Sequence, residues 1–313
     1  MSLLHRNKNI FVALTYRCNA YCKKCMTRYH VNVNNEMDQQ MLDHVLDYLK
    51  YRDYRGLISV GTGEPLLYER LEYFVTELLG INDDVRLRLL TNGMALNEDT
   101  PEIIFDSRCT IGVTFDAFCQ HTLNAVQKGV DIEKVKSNVA AAAEKYGGDR
   151  FYLNYTLYNN NILEFIPFCK FAIENKIKEL YLTELKVYSG YESILDGYKL
   201  QRTSELDNIL GQAADLLREN GISADGIDIN KSHSRSKCYL GNKASPIIDV
   251  DGSVTLCSGR EDVYVGYIYD ENIDEKYEAF LKEIKTKEDW CSFCHNKVLE
   301  DGTYRLPETI KRW

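Results

Sequence analysis

The sequence predicts an α/β fold in which a layer of parallel strands is flanked by helices and followed by a small C-terminal domain. Three observations carry this expectation. Over roughly the first 200 residues, short β-rich runs alternate six times with stretches whose apolar residues recur at helical spacing. Such alternation implies parallel strands joined by right-handed crossovers, as in an open doubly wound sheet or a partial barrel. From Ser232 onward the pattern changes to short β-like runs, turn residues and four cysteines.

The candidate strands are 10–15, 56–60, 85–90, 110–115, 151–157 and 179–185. Between the first two, Leu42, Val45, Leu46 and Leu49 lie on one helical face. Further helices are expected near 68–79, 101–106, 131–146, 162–175 and 203–220, and one more near 275–287. The change of pattern sets a boundary near 225–235, dividing the chain into residues 1–230 and 231–313. A length of 313 residues accommodates one large core and a small appended domain. There is no solenoid repeat and no low-complexity tract.

A net charge of −9 argues against nucleic-acid binding as the main activity, because that activity needs clustered Lys and Arg. No apolar run approaches the ~20 residues of a membrane span. The stretch before Arg17 and Cys18 is too short for a secretory signal. The expected compartment is therefore the cytoplasm, where disulfides are not maintained. The ten cysteines need another explanation, and seven of them fall into two groups with metal-ligand character.

Cys18, Cys22 and Cys25 form C-x3-C-x2-C directly after the first strand. Three thiolates on a tight loop suit three irons of a cubane cluster, leaving the fourth iron open. They equally suit a zinc knuckle with His30 as fourth ligand, and the triplet alone leaves both readings open. The other strand ends add to it. The second strand runs into Gly61-Thr62-Gly63-Glu64-Pro65, the third ends in Leu90-Thr91-Asn92-Gly93, and the fourth in Val113-Thr114-Phe115-Asp116. Asn154 lies on the fifth. Barrel enzymes collect active-site groups at such strand ends.

Taken together, these segments resemble the radical S-adenosylmethionine (SAM) superfamily. The resemblance implies a partial (β/α)6 barrel with a [4Fe–4S] cluster on Cys18, Cys22 and Cys25. It implies that Gly61, Thr62, Gly63 and Glu64 bind the methionyl amino group and that Thr91 and Asn92 line the cofactor. Thr114 and Asp116 would lie near the ribose, with Asn154 a further contact. Two departures from the family pattern stand out. Lys24 occupies the position before the third cysteine, where the family usually has an aromatic residue. Gln127 stands where relatives often have an arginine for the SAM carboxylate, which makes the adjacent Lys128 the candidate, as a point charge without the bidentate fork.

The second group is Cys238, Cys257, Cys291 and Cys294. Two pairs of this kind suit a structural zinc. Behind a radical SAM core, the C-x13-G-x4-C spacing resembles the SPASM and twitch extensions. The segment Ile247–Gly252 then reads as their hairpin, with an Asp-Gly turn. No cysteine follows Cys294, so the likeness is to the shorter twitch form with one auxiliary [4Fe–4S] cluster, fully ligated by four cysteines.

Of the remaining cysteines, Cys109 and Cys169 read as buried and inert. Cys119, just past the fourth strand, is a candidate hydrogen donor to a substrate radical, and Glu184 a candidate substrate contact or general base. The family's chemistry is hydrogen abstraction from a C–H bond by a 5′-deoxyadenosyl radical, with flavodoxin or ferredoxin as the external one-electron donor. Twitch relatives act on sugar-like, aminocyclitol or nucleotide substrates. A small-molecule dehydrogenase or epimerase is therefore expected, with dehydrogenation favoured. The alternatives are a peptide-modifying maturase and, remotely, a non-enzymatic zinc protein. Seventeen residues before Cys18 are too few for a peptide-recognition domain.

Overall fold

The computed structural model describes residues 9–25, 34–185, 195–225, 245–256 and 264–286. Cys238, Cys257, Cys291 and Cys294, and with them the expected auxiliary site, lie outside the described residues, as does His30. The chain divides into two compact units. One comprises residues 1–17, 29–89 and 234–313, the other residues 18–28 and 90–233.

In the first unit, β1 (Asn9–Val12) is paired in parallel on both sides. One neighbour is β3 (Leu57–Val60), itself parallel to β4 (Arg86–Thr91). The other is β10 (Ile247–Ile248), which leads antiparallel to β11 (Ser253–Thr255) and then β12 (Tyr264–Tyr267). The expected hairpin is thus present: Asp249 N–H donates to Ser253 O (2.8 Å), and Gly252 takes φ +80° in the turn. Helix α1 (Gln39–Tyr51) starts where Asp38 accepts from Met41 N–H at 2.8 Å. It buries the predicted Leu42, Val45, Leu46 and Leu49, each worth about 1.5–3 kcal/mol when fully removed from water. Helices α2 (Leu71–Leu79) and α7 (Ile273–Thr286) complete the described part of this unit.

The second unit is built on four parallel strands in the order β5 (Cys109–Phe115), β7 (Phe151–Leu157), β8 (Glu179–Glu184) and β9 (Ser223–Asp225). Helices α4 (Ile132–Tyr146), α5 (Phe165–Glu174) and α6 (Ser204–Glu219) alternate with them. Asp131 and Thr203 cap α4 and α6. The core is aromatic: Phe168 lies 4.7 Å from Tyr155 and 5.4 Å from Phe115, ring centre to ring centre.

Two local features depart from the sequence expectation. The segment near 101–106 is a short 3-10 turn, Glu102–Phe105, confined between Pro101 and the extended Asp106. Helix α3 (Gln120–Val126) was not expected; only Leu123 and Val126 are buried on it, too few to show as periodicity. Among the described residues no helix is long and apolar enough to cross a membrane.

Candidate active site

The cysteine loop belongs to the second unit and is held by its backbone. Two-residue strands β2 (Tyr21–Cys22) and β6 (Gln127–Lys128) pair antiparallel, with Tyr21 opposite Lys128 and Cys22 opposite Gln127. Lys23 N–H donates to Val126 O at 2.8 Å, and Cys25 N–H to Cys22 O at 3.2 Å. Past β6 the chain must approach the loop closely. Gly129 has φ +81°, and a Cβ there would stand 2.4 Å from Asn19 O. Lys128, the candidate for the SAM carboxylate, is exposed beside this loop, whereas Gln127 is buried.

Cys18 is exposed, and its Sγ accepts from Ala20 N–H at 3.4 Å and from Asn92 Nδ2 at 3.8 Å. Asn92 also donates to Asn19 Oδ1 at 2.7 Å, so the third strand end does reach the cysteine loop. Its neighbour Thr91 points inward, and its Oγ1 accepts from Gly93 N–H at 3.0 Å. Burial pushes the Cys22 thiol well above its usual range; the Asp116 carboxylate adds to this and the Lys24 ammonium opposes it.

Asp116, expected near a ribose, is buried and ion-paired with Lys24. Lys24 Nζ also donates to Thr156 Oγ1 at 2.6 Å. The fully buried Asn161 ties the two strand ends below them, its Nδ2 donating to Asp116 O (3.1 Å) and Thr156 O (2.8 Å). Sequence reasoning missed Lys24 as a functional contact, although its departure from the family pattern was the available signal. Thr114 and Asn154 are half-buried and paired in register across β5 and β7. Thr183 Oγ1 donates to Asn154 Oδ1 at 3.5 Å. Cys119 is exposed, and its backbone N–H donates to Glu164 Oε2 at 2.9 Å. Glu184 is engaged by Arg202 at 2.8 Å.

In the first unit, the glycine-rich segment after β3 packs on the chain after β1. Gly63 has φ +65°, and a Cβ would meet Thr15 O at 2.4 Å and Arg17 O at 2.7 Å. Glu64 N–H donates to Arg17 O at 2.8 Å. The Glu64 side chain is buried and accepts from Leu66 N–H at 3.2 Å, while Gly61 is exposed. Tyr16, two residues before Cys18, donates its hydroxyl to Asp249 of the hairpin.

Among the described residues, no three His, Cys, Asp or Glu side chains gather closely enough to hold one metal ion. Cys18, Cys22 and Cys25 are not in disulfides, and Cys18 Sγ accepts two N–H donors, the kind of hydrogen bond that tunes thiolate ligands.

A mostly parallel α/β fold with three thiols on the loop after its first strand is the arrangement expected of a SAM-dependent iron–sulfur enzyme. Residues 12–172 match the Radical SAM superfamily, and the chain belongs to it. A GTP 3′,8-cyclase of Helicobacter pylori strain HPAG1 is 25% identical over 293 residues, covering 88% of this chain and 85% of the relative. The enzyme of the same name from strain J99 is 35% identical over 292 residues, again 88% of this chain and 85% of the relative. Among solved structures, Streptococcus suis SuiB bound to S-adenosylmethionine aligns with a TM-score of 0.68 at 14% identity, over 90% of this chain and 68% of that one. The fold is thus the expected partial barrel of parallel strands.

Proposed function

We propose that the enzyme abstracts a hydrogen atom from a C–H bond of a small, nucleotide-like substrate. The observation that carries the substrate class is the likeness to GTP 3′,8-cyclases over 88% of the chain. SAM and a reduced [4Fe–4S] cluster, when bound, supply the 5′-deoxyadenosyl radical that does this chemistry. Cys18, Cys22 and Cys25 hold that cluster, and Asn92 orients Cys18 through its sulfur. The segment Gly61–Glu64 accepts the methionyl ammonium on its backbone, which Gly63 lets pass close to the chain before Cys18. Lys128 pairs with the carboxylate as an exposed cation beside the loop. Thr91, Thr114, Asp116 and Asn154 line the remainder of the cofactor site, Thr114 and Asp116 near the ribose; Thr91 Oγ1 and Asn161 Nδ2 brace the backbone at Gly93 and Asp116. Residues 231–313 form the auxiliary domain, with Cys238, Cys257, Cys291 and Cys294 as ligands of a second cluster.

Four protein ligands on that second cluster favour dehydrogenation, a two-electron oxidation per SAM consumed. The activity named for the relatives, ring closure within a nucleotide, is the second reading. The test is anaerobic turnover with SAM, a flavodoxin reductant and GTP or other purine nucleotides, following 5′-deoxyadenosine and product mass. Nucleotide-stimulated 5′-deoxyadenosine with a product lighter by two hydrogens supports dehydrogenation. A product of unchanged mass supports ring closure. Stimulation by short peptides but by no nucleotide refutes the substrate class.

A further inference from the structure

Lys24 stands between two cluster ligands, yet its side chain is committed to the protein. It forms an ion pair with Asp116, whose side chain is 4% exposed, and donates to Thr156 Oγ1 at 2.6 Å. Both acceptors lie on a rigid base. Asp116 follows β5 directly and Thr156 lies in β7, strands that pair in register up to Phe115 and Tyr155. Asn161, fully buried, binds both backbone carbonyls, and its own Oδ1 accepts from Tyr158 N–H at 2.9 Å. A buried carboxylate without a partner is strongly unfavourable.

We propose that Lys24 is a positioning residue for the cluster: its ammonium fastens the cysteine loop to the ends of β5 and β7 and balances the Asp116 charge beside the cluster. The proposal rests on Cys18, Cys22 and Cys25 being the SAM-cluster ligands. Without Lys24, the loop loses its only side-chain tie to Asp116 and Thr156 among the described contacts, and the unbalanced carboxylate disfavours each added electron.

The test compares wild type with Lys24→Met, Lys24→Arg and the double variant Lys24→Met/Asp116→Asn, all as full-length reconstituted protein. Iron is counted in excess of that held by a Cys18→Ala/Cys22→Ala/Cys25→Ala baseline. The readouts are the rate at which a chelator removes that iron and the midpoint potential of the SAM-responsive cluster. Lys24→Met should release this iron roughly 10-fold faster and shift the potential downward. Lys24→Arg should keep the potential near wild type, and the double variant should recover the potential, because no unpaired charge remains, but not the release rate, because the tie is still missing. Lys24→Met matching wild type in release rate and potential overturns the proposal, as does a double variant whose potential is no closer to wild type than that of Lys24→Met. Wild type holding no more iron than the baseline instead removes the cluster assignment on which the proposal depends.

Discussion

Replacing Gly63 by alanine tests how tightly the glycine-rich segment is packed on the chain that leads into Cys18. An alanine Cβ would stand 2.4 Å from Thr15 O, 2.7 Å from Arg17 O and 2.9 Å from the carbonyl carbon of Tyr16. All three are backbone atoms, so no side chain can rotate away. The left-handed conformation at φ +65° costs a non-glycine residue about 1–2 kcal/mol. Relieving the overlap costs about 1–3 kcal/mol more. At roughly 2–4 °C per kcal/mol, the total corresponds to a melting point lower by on the order of 10 °C. Gly211, inside α6, is the internal control, since a Cβ there meets nothing within 4 Å. Gly211→Ala should raise the melting point by about 2 °C, through the ~0.5–1 kcal/mol advantage of alanine in a helix. The assay is thermal melting of the apoprotein by circular dichroism, with iron uptake at the first site measured alongside. A Gly63→Ala protein that melts within about 2 °C of wild type and takes up iron normally would refute the close approach.

Replacing Cys18, Cys22 and Cys25 with alanine should abolish 5′-deoxyadenosine formation while about half of the iron remains, one cubane of two; unchanged cleavage in that variant would end the ligand assignment. Cys119→Ala should form oxidised product at the wild-type rate; a deuterium gained from deuterated buffer by the wild-type product, and lost in the variant, would identify Cys119 as a hydrogen donor instead. Burial pushes the Cys109 and Cys169 thiols up to about 12, so both stay protonated at pH 8 and resist alkylation in the native apoprotein. Exposed Cys119 should react under the same conditions, and mass mapping of the labelled sites checks the contrast.

What the sequence made legible was what is local or covalently spaced. The six strands appear within a few residues of expectation, and 151–157 matches β7 at both ends, because β-branched and aromatic residues there serve a buried strand. The three cysteines announce themselves by spacing, and the Asp-Gly turn by the positive φ that Gly252 supplies. Contacts between residues far apart in sequence were not legible. Nothing near Lys24 indicates that its partners are 92 and 132 positions away, and the β2–β6 pairing rests on two residues per strand. Asp116 shows the consequence. Its place at the end of the fourth strand was legible, whereas its ion pair with Lys24 was not.

The pairing of β10 with β1 carries a consequence for the order in which the protein can be made. Phe11 and Val12 find their partners in Ile247 and Ile248, more than two hundred residues later in synthesis. Until those residues leave the ribosome, one edge of β1 has no partner from that strand, and Asp249 is not yet there to receive the Tyr16 hydroxyl. Parallel pairings of such long sequence separation form slowly, and an open edge invites pairing with other chains. A nascent chain stopped before residue 245 therefore carries Cys18, Cys22 and Cys25 but only part of the first unit. The upstream strand of the first unit is accordingly completed late, when the C-terminal hairpin arrives.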